Sequence, residues 1–192
     1  VADRVNMVFP QGQSVALLGR NGAGKSSLLK LIAGTMKPSS GRVDVTGSVS
    51  WPVGFAGSFH GDLTGLQNTR FVARIYGVDT DQLVEFVHAF SELGERFRLP
   101  VRGYSQGMRA RLGFALSMGI AFDTYLIDEV TAVGDAGFRQ KCEAALKTKV
   151  HPATLSKTVH YRNVLMVAMP PSFIQSAGSQ PVMFPMSPTY RR

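Results

Sequence analysis

The chain has 192 residues, is 44% hydrophobic and 18% charged, and carries a formal net charge of +8. That length and composition fit one sizeable globular domain with a subdomain and exclude a disordered or fibrous chain. A single cysteine, Cys142, excludes an internal disulfide and suits a reducing compartment.

No apolar run approaches the ~20 residues that span a bilayer, and Val1-Ala2-Asp3-Arg4 is not a signal-peptide start. The chain opens without Met and reads as cut at its front end. Val5, Met7 and Phe9 alternate as a half-buried strand would. Pro10-Gln11-Gly12-Gln13 is a turn into an apolar strand, Ser14-Val15-Ala16-Leu17-Leu18. Directly after it comes Gly19-Arg20-Asn21-Gly22-Ala23-Gly24-Lys25-Ser26, a G-x-x-x-x-G-K-S phosphate loop. A helical pattern follows, with Leu28, Leu31 and Ile32 on one face.

The order strand, glycine-rich loop, helix gives that pattern its chemistry. Glycines let the backbone turn its N–H groups inward toward phosphate oxygens, and the helix aims its positive end at the same place. Residues 19–27 are the nucleotide-binding set, Ser27 closing it. Within it Lys25 reaches the β- and γ-phosphates, and the Ser26 hydroxyl holds Mg²⁺. The chain is therefore read as binding a nucleoside triphosphate.

Pro38-Ser39-Ser40-Gly41 is a further turn, followed by short strand-like pieces at 42–45 and 48–51 and a glycine-rich loop over 51–65. From 66 to 119 the pattern is helical. Asp79 or Thr80 caps a helix carrying Leu83, Phe86, Val87, Phe90 and Leu93, whose Phe86–Phe90 stripe reads as core. Ser105 is a plausible cap for a helix with Leu112, Ala115 and Leu116. Thr124-Tyr125-Leu126-Ile127 is an apolar strand ending at Asp128-Glu129. Beside a phosphate loop, such an Asp holds Mg²⁺ and the adjacent Glu orients the attacking water. A helix is expected from about 136 to 149, and a strand over 163–167. No Asp or Glu follows Glu143, and periodicity is lost beyond Pro170.

In this order the motifs resemble the ABC-transporter ATPase family. Residues 19–26 match its Walker A loop, Tyr104-Ser105-Gln106-Gly107-Met108 its signature, Tyr125 to Glu129 its Walker B strand, and Ala132-Val133-Gly134-Asp135 its D-loop. The signature form Y-S-Q-G-M, with Ser48-Val49-Ser50-Trp51-Pro52 and Leu63-Thr64-Gly65, is similar to the branch that exports capsular polysaccharide. The resemblance covers about residues 1–149.

It implies an α/β fold: a P-loop NTPase core with a mainly parallel sheet, N-terminally truncated, and an inserted helical subdomain. The core is expected at 1–65 and 121–169, the helical signature subdomain at 66–120, and an atypical, poorly ordered tail at 170–192. It implies ATP hydrolysis with Mg²⁺ on the cytoplasmic face of a bacterial inner membrane, as a peripheral subunit driving a transmembrane permease. Two copies pair head to tail, with Ser105 and Gly107 reaching the ATP held by the partner chain's copy of the phosphate loop. Nucleic acid is not an expected partner, and neither basic clusters nor nucleic-acid signatures occur.

Three departures from the family stand out. Roughly twenty front residues, with a strand and an adenine-stacking aromatic, have no counterpart here. The Q-loop Gln has no clear match over 51–59, where His60 and Gln67 are poor substitutes. The switch His is replaced by Met169, which cannot donate to a γ-phosphate. These imply impaired turnover, leaving a nucleotide-binding fragment with little hydrolysis as the alternative. A soluble relative acting on nucleic acid is the other.

Overall fold

Strand β1, Ser14–Leu17, pairs in parallel with β3, Val164–Ala168, which pairs in parallel with β2, Thr124–Asp128. The computed structural model describes residues 5–9, 14–17, 23–53, 59–128, 135–150 and 164–168. In the resulting three-stranded sheet of order β1-β3-β2, the last strand in sequence lies between the first two. Parallel neighbours need crossovers that put helices on the faces, so the strands are apolar without alternation. Tyr125, Leu126 and Ile127 are accordingly all buried.

The chain divides into two units: Val1–Pro52 with Phe122–Glu129 and Leu155–Arg192, and Val53–Ala121 with Val130–Thr154. The first holds the sheet and helix α1, Lys25–Ile32. Leu29 of α1 is buried against Leu17 of β1 and Leu126 of β2, with Phe9, Leu28, Ile32 and Val49 packed around them. The face expected from Leu28, Leu31 and Ile32 is thus centred on Leu29, which takes the buried position. Ser50 is fully buried and ties the segment before it to β2: its N–H donates to the Thr124 carbonyl, and its Oγ accepts from Leu126 N–H at 2.9 Å.

The front of this unit departs from the sequence expectation. Residues 5–9 form no strand; Val5 and Met7 are exposed and only Phe9 packs on the core. Residues 42–45 form none either, and Val43 and Val45 are exposed. Of 48–51, only Val49 makes an isolated parallel bridge, to Thr124. Alternation becomes a strand only where a partner satisfies the backbone groups. Among the described residues no ladder forms beside these segments.

The second unit holds α2, Gly65–Tyr76; α3, Thr80–Ser91; two 3₁₀ turns, Gly94–Arg98 and Val101–Gly103; α4, Gln106–Gly119; and α5, Ala136–Val150. Thr64 and Gln67 form a reciprocal capping box at the start of α2, and Asp79 caps α3. Phe90, Phe114 and Phe138 join α3, α4 and α5 in one aromatic cluster with centroids 5.9–6.5 Å apart. Phe86 stacks on Phe90 at 5.4 Å yet is 39% exposed, and Phe90 is half-buried, so Leu83 and Val87 rather than the phenylalanine stripe are the buried apolar residues of α3. Residues 170–192 lie outside the described residues.

Candidate functional site

Gly24 is the N-cap of α1 and adopts φ 93°, ψ 15°, a left-handed conformation that a side chain would strain. It turns the chain sharply into the helix, and its carbonyl accepts from Leu28 N–H at 2.9 Å. No side chain caps α1 and no acidic residue lies in its first turn. The N–H groups there have no partner within the helix, and the helix end carries partial positive charge. Lys25 is the first helical residue and Ser26, next to it, is exposed. A helix start of this kind can receive an anion, and Leu29 packs it on the sheet. Of residues 19–27, those from Ala23 to Ser27 are described; Gly19, Arg20, Asn21 and Gly22 lie outside the described residues.

The sheet register sets the other side of the site. Leu17 pairs with Ala168, and so does Asp128. The C-terminal ends of all three strands therefore lie at one edge, with neighbouring strands about 4.8 Å apart. Open parallel sheets bind ligands at that edge. Asp128 is the last residue of β2. Glu129, which follows it, and Met169, which follows Ala168, lie outside the described residues. Among the described residues no group of three or more His, Cys, Asp or Glu could hold a metal by itself. By residue type, a serine hydroxyl and an aspartate carboxylate are hard oxygen donors of the kind Mg²⁺ takes, beside several waters and phosphate oxygens.

In the second unit Ser105 is the N-cap of α4: its Oγ accepts from Met108 N–H at 3.2 Å and its carbonyl from Arg109 N–H at 3.0 Å. The hydroxyl proton remains available to an acceptor outside the helix. A Cβ at Gly107 would meet only Ser105 Oγ, at 3.9 Å. Intrachain packing thus gives no reason for glycine there, and the bare backbone leaves room for a close-approaching group. Lys25, Ser26 and Asp128 belong to the first unit and Ser105 and Gly107 to the second.

Asp135 begins α5 and is its cap: Oδ1 accepts from Phe138 N–H at 2.9 Å and the carbonyl from Arg139 N–H at 3.0 Å. Arg111 of α4 reaches Asp135 at 2.6 Å and Glu92 at 3.2 Å, and lies over the Phe138 ring at 4.4 Å. Lys141 pairs with Glu92 at 2.8 Å and donates to the Phe90 carbonyl at the end of α3. The Lys141 hydrogen bond holds the Glu92 carboxyl below its usual range, and the Phe138 N–H does the same for Asp135, with Arg111 adding to both. Glu92 itself caps α3 with φ 55°.

Two residues weighed as stand-ins for the Q-loop Gln serve local structure instead. Gln67 Oε1 accepts from Thr64 N–H, completing the capping box. The backbone of His60 is held by Asn68, which accepts from its N–H at 3.0 Å and donates to its carbonyl at 3.1 Å. Asn68 is 2% exposed and also donates to the carbonyls of Leu63 and Thr64. It ties down residues 60–64, which sequence reasoning missed; the T-x-x-Q spacing of Thr64 and Gln67 was the signal for the box.

The family model described as ABC transporter matches residues 2–132. The chain is 48% identical over 163 residues to the polysialic acid transport ATP-binding protein KpsT of Escherichia coli, covering 84% of this chain and 73% of that protein. It is 44% identical over 176 residues to the ATP-binding protein BexA of Haemophilus influenzae, covering 92% and 77%. Its fold matches the dimeric, post-hydrolysis structure of the ATP-binding cassette MJ0796 bound to ADP and Pi, with a TM-score of 0.66 at 21% identity over 85% of this chain and 78% of that one.

Proposed function

The chain belongs to the ABC transporter family, and we propose that it is the ATP-hydrolysing subunit of an exporter of capsular or related cell-surface polysaccharide. The observation that carries this is the shared register of Leu17 and Asp128 on Ala168. The ends of β1, which precedes the phosphate loop in sequence, and of β2, which closes on Asp128, share one sheet edge. The substrate class follows from the relatives, KpsT being a polysialic acid transport protein by name.

In this reading residues 19–27 cradle the triphosphate, with Lys25 offsetting charge on the β- and γ-phosphates. Ser26 and Asp128 hold Mg²⁺, which neutralises phosphate charge when bound. Glu129 takes the proton from the attacking water and orients it in line with the γ-phosphate. Ser105 and Gly107 donate to the phosphates held by a second copy of the chain, so two copies pair head to tail around two nucleotides. That pairing is supported by the dimeric MJ0796 cassette, which shares the fold. Closure of the pair drives a transmembrane permease. Among the described residues no helix is long and apolar enough to cross a membrane. In this reading the permease spans the membrane and this subunit works at the cytoplasmic face of the inner membrane, as the resemblance to transport ATP-binding proteins suggests.

The test is ATP turnover by the purified chain with and without Mg²⁺, beside Glu129→Gln. Mg²⁺-dependent phosphate release that falls to background in the variant is expected. Turnover independent of Mg²⁺, or equal in both chains, contradicts the reading.

A further inference from the structure

Two features far apart in sequence, Leu63-Thr64-Gly65 and the tyrosine of Tyr104-Ser105-Gln106-Gly107-Met108, meet in the folded chain. Tyr104 is 4% exposed. Its hydroxyl donates to the Arg96 carbonyl at 2.7 Å and lies close against Gly65. Gly65 is the first residue of α2, where the N–H has no partner inside the helix. The Thr64 hydroxyl is already taken by Gln67 N–H. The phenol oxygen thus lies at the start of α2, beside the capping box.

The fit requires glycine. A Cβ at position 65 would lie 2.6 Å from Tyr104 Oη and 2.9 Å from the Phe97 ring. The same strip is joined by Val101 N–H to the Leu63 carbonyl at 3.0 Å and by Arg102 N–H to the Gly61 carbonyl at 2.8 Å. Arg102 and Asp62 add an ion pair at 3.0 Å. Tyr104 is the last point of attachment before the chain turns into α4, and Ser105 follows it directly.

We propose that Tyr104 is a positioning residue for the turn at Ser105 and Gly107: its hydroxyl, seated in the space that Gly65 leaves at the start of α2, fixes where α4 begins. The proposal rests on reading Ser105 and Gly107 as nucleotide contacts. Leucine at 104 offers no hydroxyl and leaves the Arg96 carbonyl without this partner. The glycine and the tyrosine then form one unit, and a side chain at 65 is tolerated only where the hydroxyl is gone and Phe97 yields.

The test is Tyr104→Phe in the full chain, read by amide hydrogen exchange. Exchange at Gly65 and Met108 should quicken at least tenfold, while amides of α5 change less than twofold. A common acceleration of all slow amides indicates a structural role only and overturns the proposal, as does unchanged exchange at both sites. Tyr104→Leu is the second variant, expected to behave alike. In turnover assays Tyr104→Phe should lower the maximal rate several-fold with KM for ATP within twofold; a raised KM at unchanged maximal rate overturns it. If the unmodified chain binds no ATP, the nucleotide reading fails on its own, and the exchange pattern still decides the role of Tyr104.

Discussion

Leu17 and Asp128 stand level with each other, both in register with Ala168 of the strand between them. Three strand ends thus share one edge, and each is followed at once in sequence by a functional candidate: residues 19–27 after β1, Glu129 after β2, Met169 after β3. Leu29 of α1 packs on Leu17 and Leu126, so the helix that opens with Lys25 and Ser26 is anchored to the two strands that bracket the site. Fixed donors at the start of such a helix need no rearrangement to meet a phosphate, which is what makes them effective.

Glu129→Gln should keep ATP binding within about twofold and lower turnover by a hundredfold or more, the scale of losing a general base. The check is nucleotide affinity and phosphate release measured on the same preparation. An active variant contradicts the assignment.

Met169 stands where the family's switch histidine is expected, and a thioether offers only a weak acceptor to a group that needs donors. Losing one such contact costs about a hundredfold. The unmodified chain should therefore turn over ATP at less than about 0.1 per second, against a median near 10 for enzymes. A rate near that median shows that hydrolysis here does without a switch histidine.

Arg111→Met should lower the thermal midpoint by about 2–4 °C at pH 7, a change of order 1 kcal/mol for a chain of this size. The pH dependence has a definite sign. Glu92 and Asp135 have folded-state pKa values below the ordinary 4.5 and 3.8. Their contribution is full above those ordinary values and is lost as pH falls through the lowered folded ones. The gap between wild type and Arg111→Met should accordingly close in acid. A gap unchanged between pH 7 and pH 3 contradicts the ion-pair account.

Cys142 is fully buried, and burial pushes its thiol up to about 12. At pH 8 its thiolate fraction is roughly a thousandfold below that of a free thiol. A disulfide reagent should react slowly with the native chain and at once in guanidinium. Cys142→Ala should leave turnover nearly unchanged, since Cys142 is none of the candidate site residues. Rapid native reaction contradicts this.

What the sequence made legible was local. The strand at 14–17, the glycine turn at Gly24, the Ser105 cap and the strand ending at Asp128 each follow from residues adjacent in the chain. The segments at 5–9 and 42–45 were misread because alternation records which side chains face a core but not whether a partner strand is present. The Arg111 network, the Asn68 hub and the seat of Tyr104 over Gly65 join residues distant in sequence, Lys141 and Glu92 being 49 positions apart. Such pairs leave no periodic trace, and only the folded packing of α2, α3, α4 and α5 discloses them. The positive φ of Glu92 was hidden for the same reason, since non-glycine residues take that conformation when their surroundings hold them there.

The central claim is nucleotide binding at the start of α1, and titration calorimetry of ATP into the chain and into Lys25→Ala tests it most directly. The account predicts saturable binding to the unmodified chain and at least tenfold weaker binding to the variant, about 1.4 kcal/mol. Equal affinities, or no binding to the unmodified chain, contradict it.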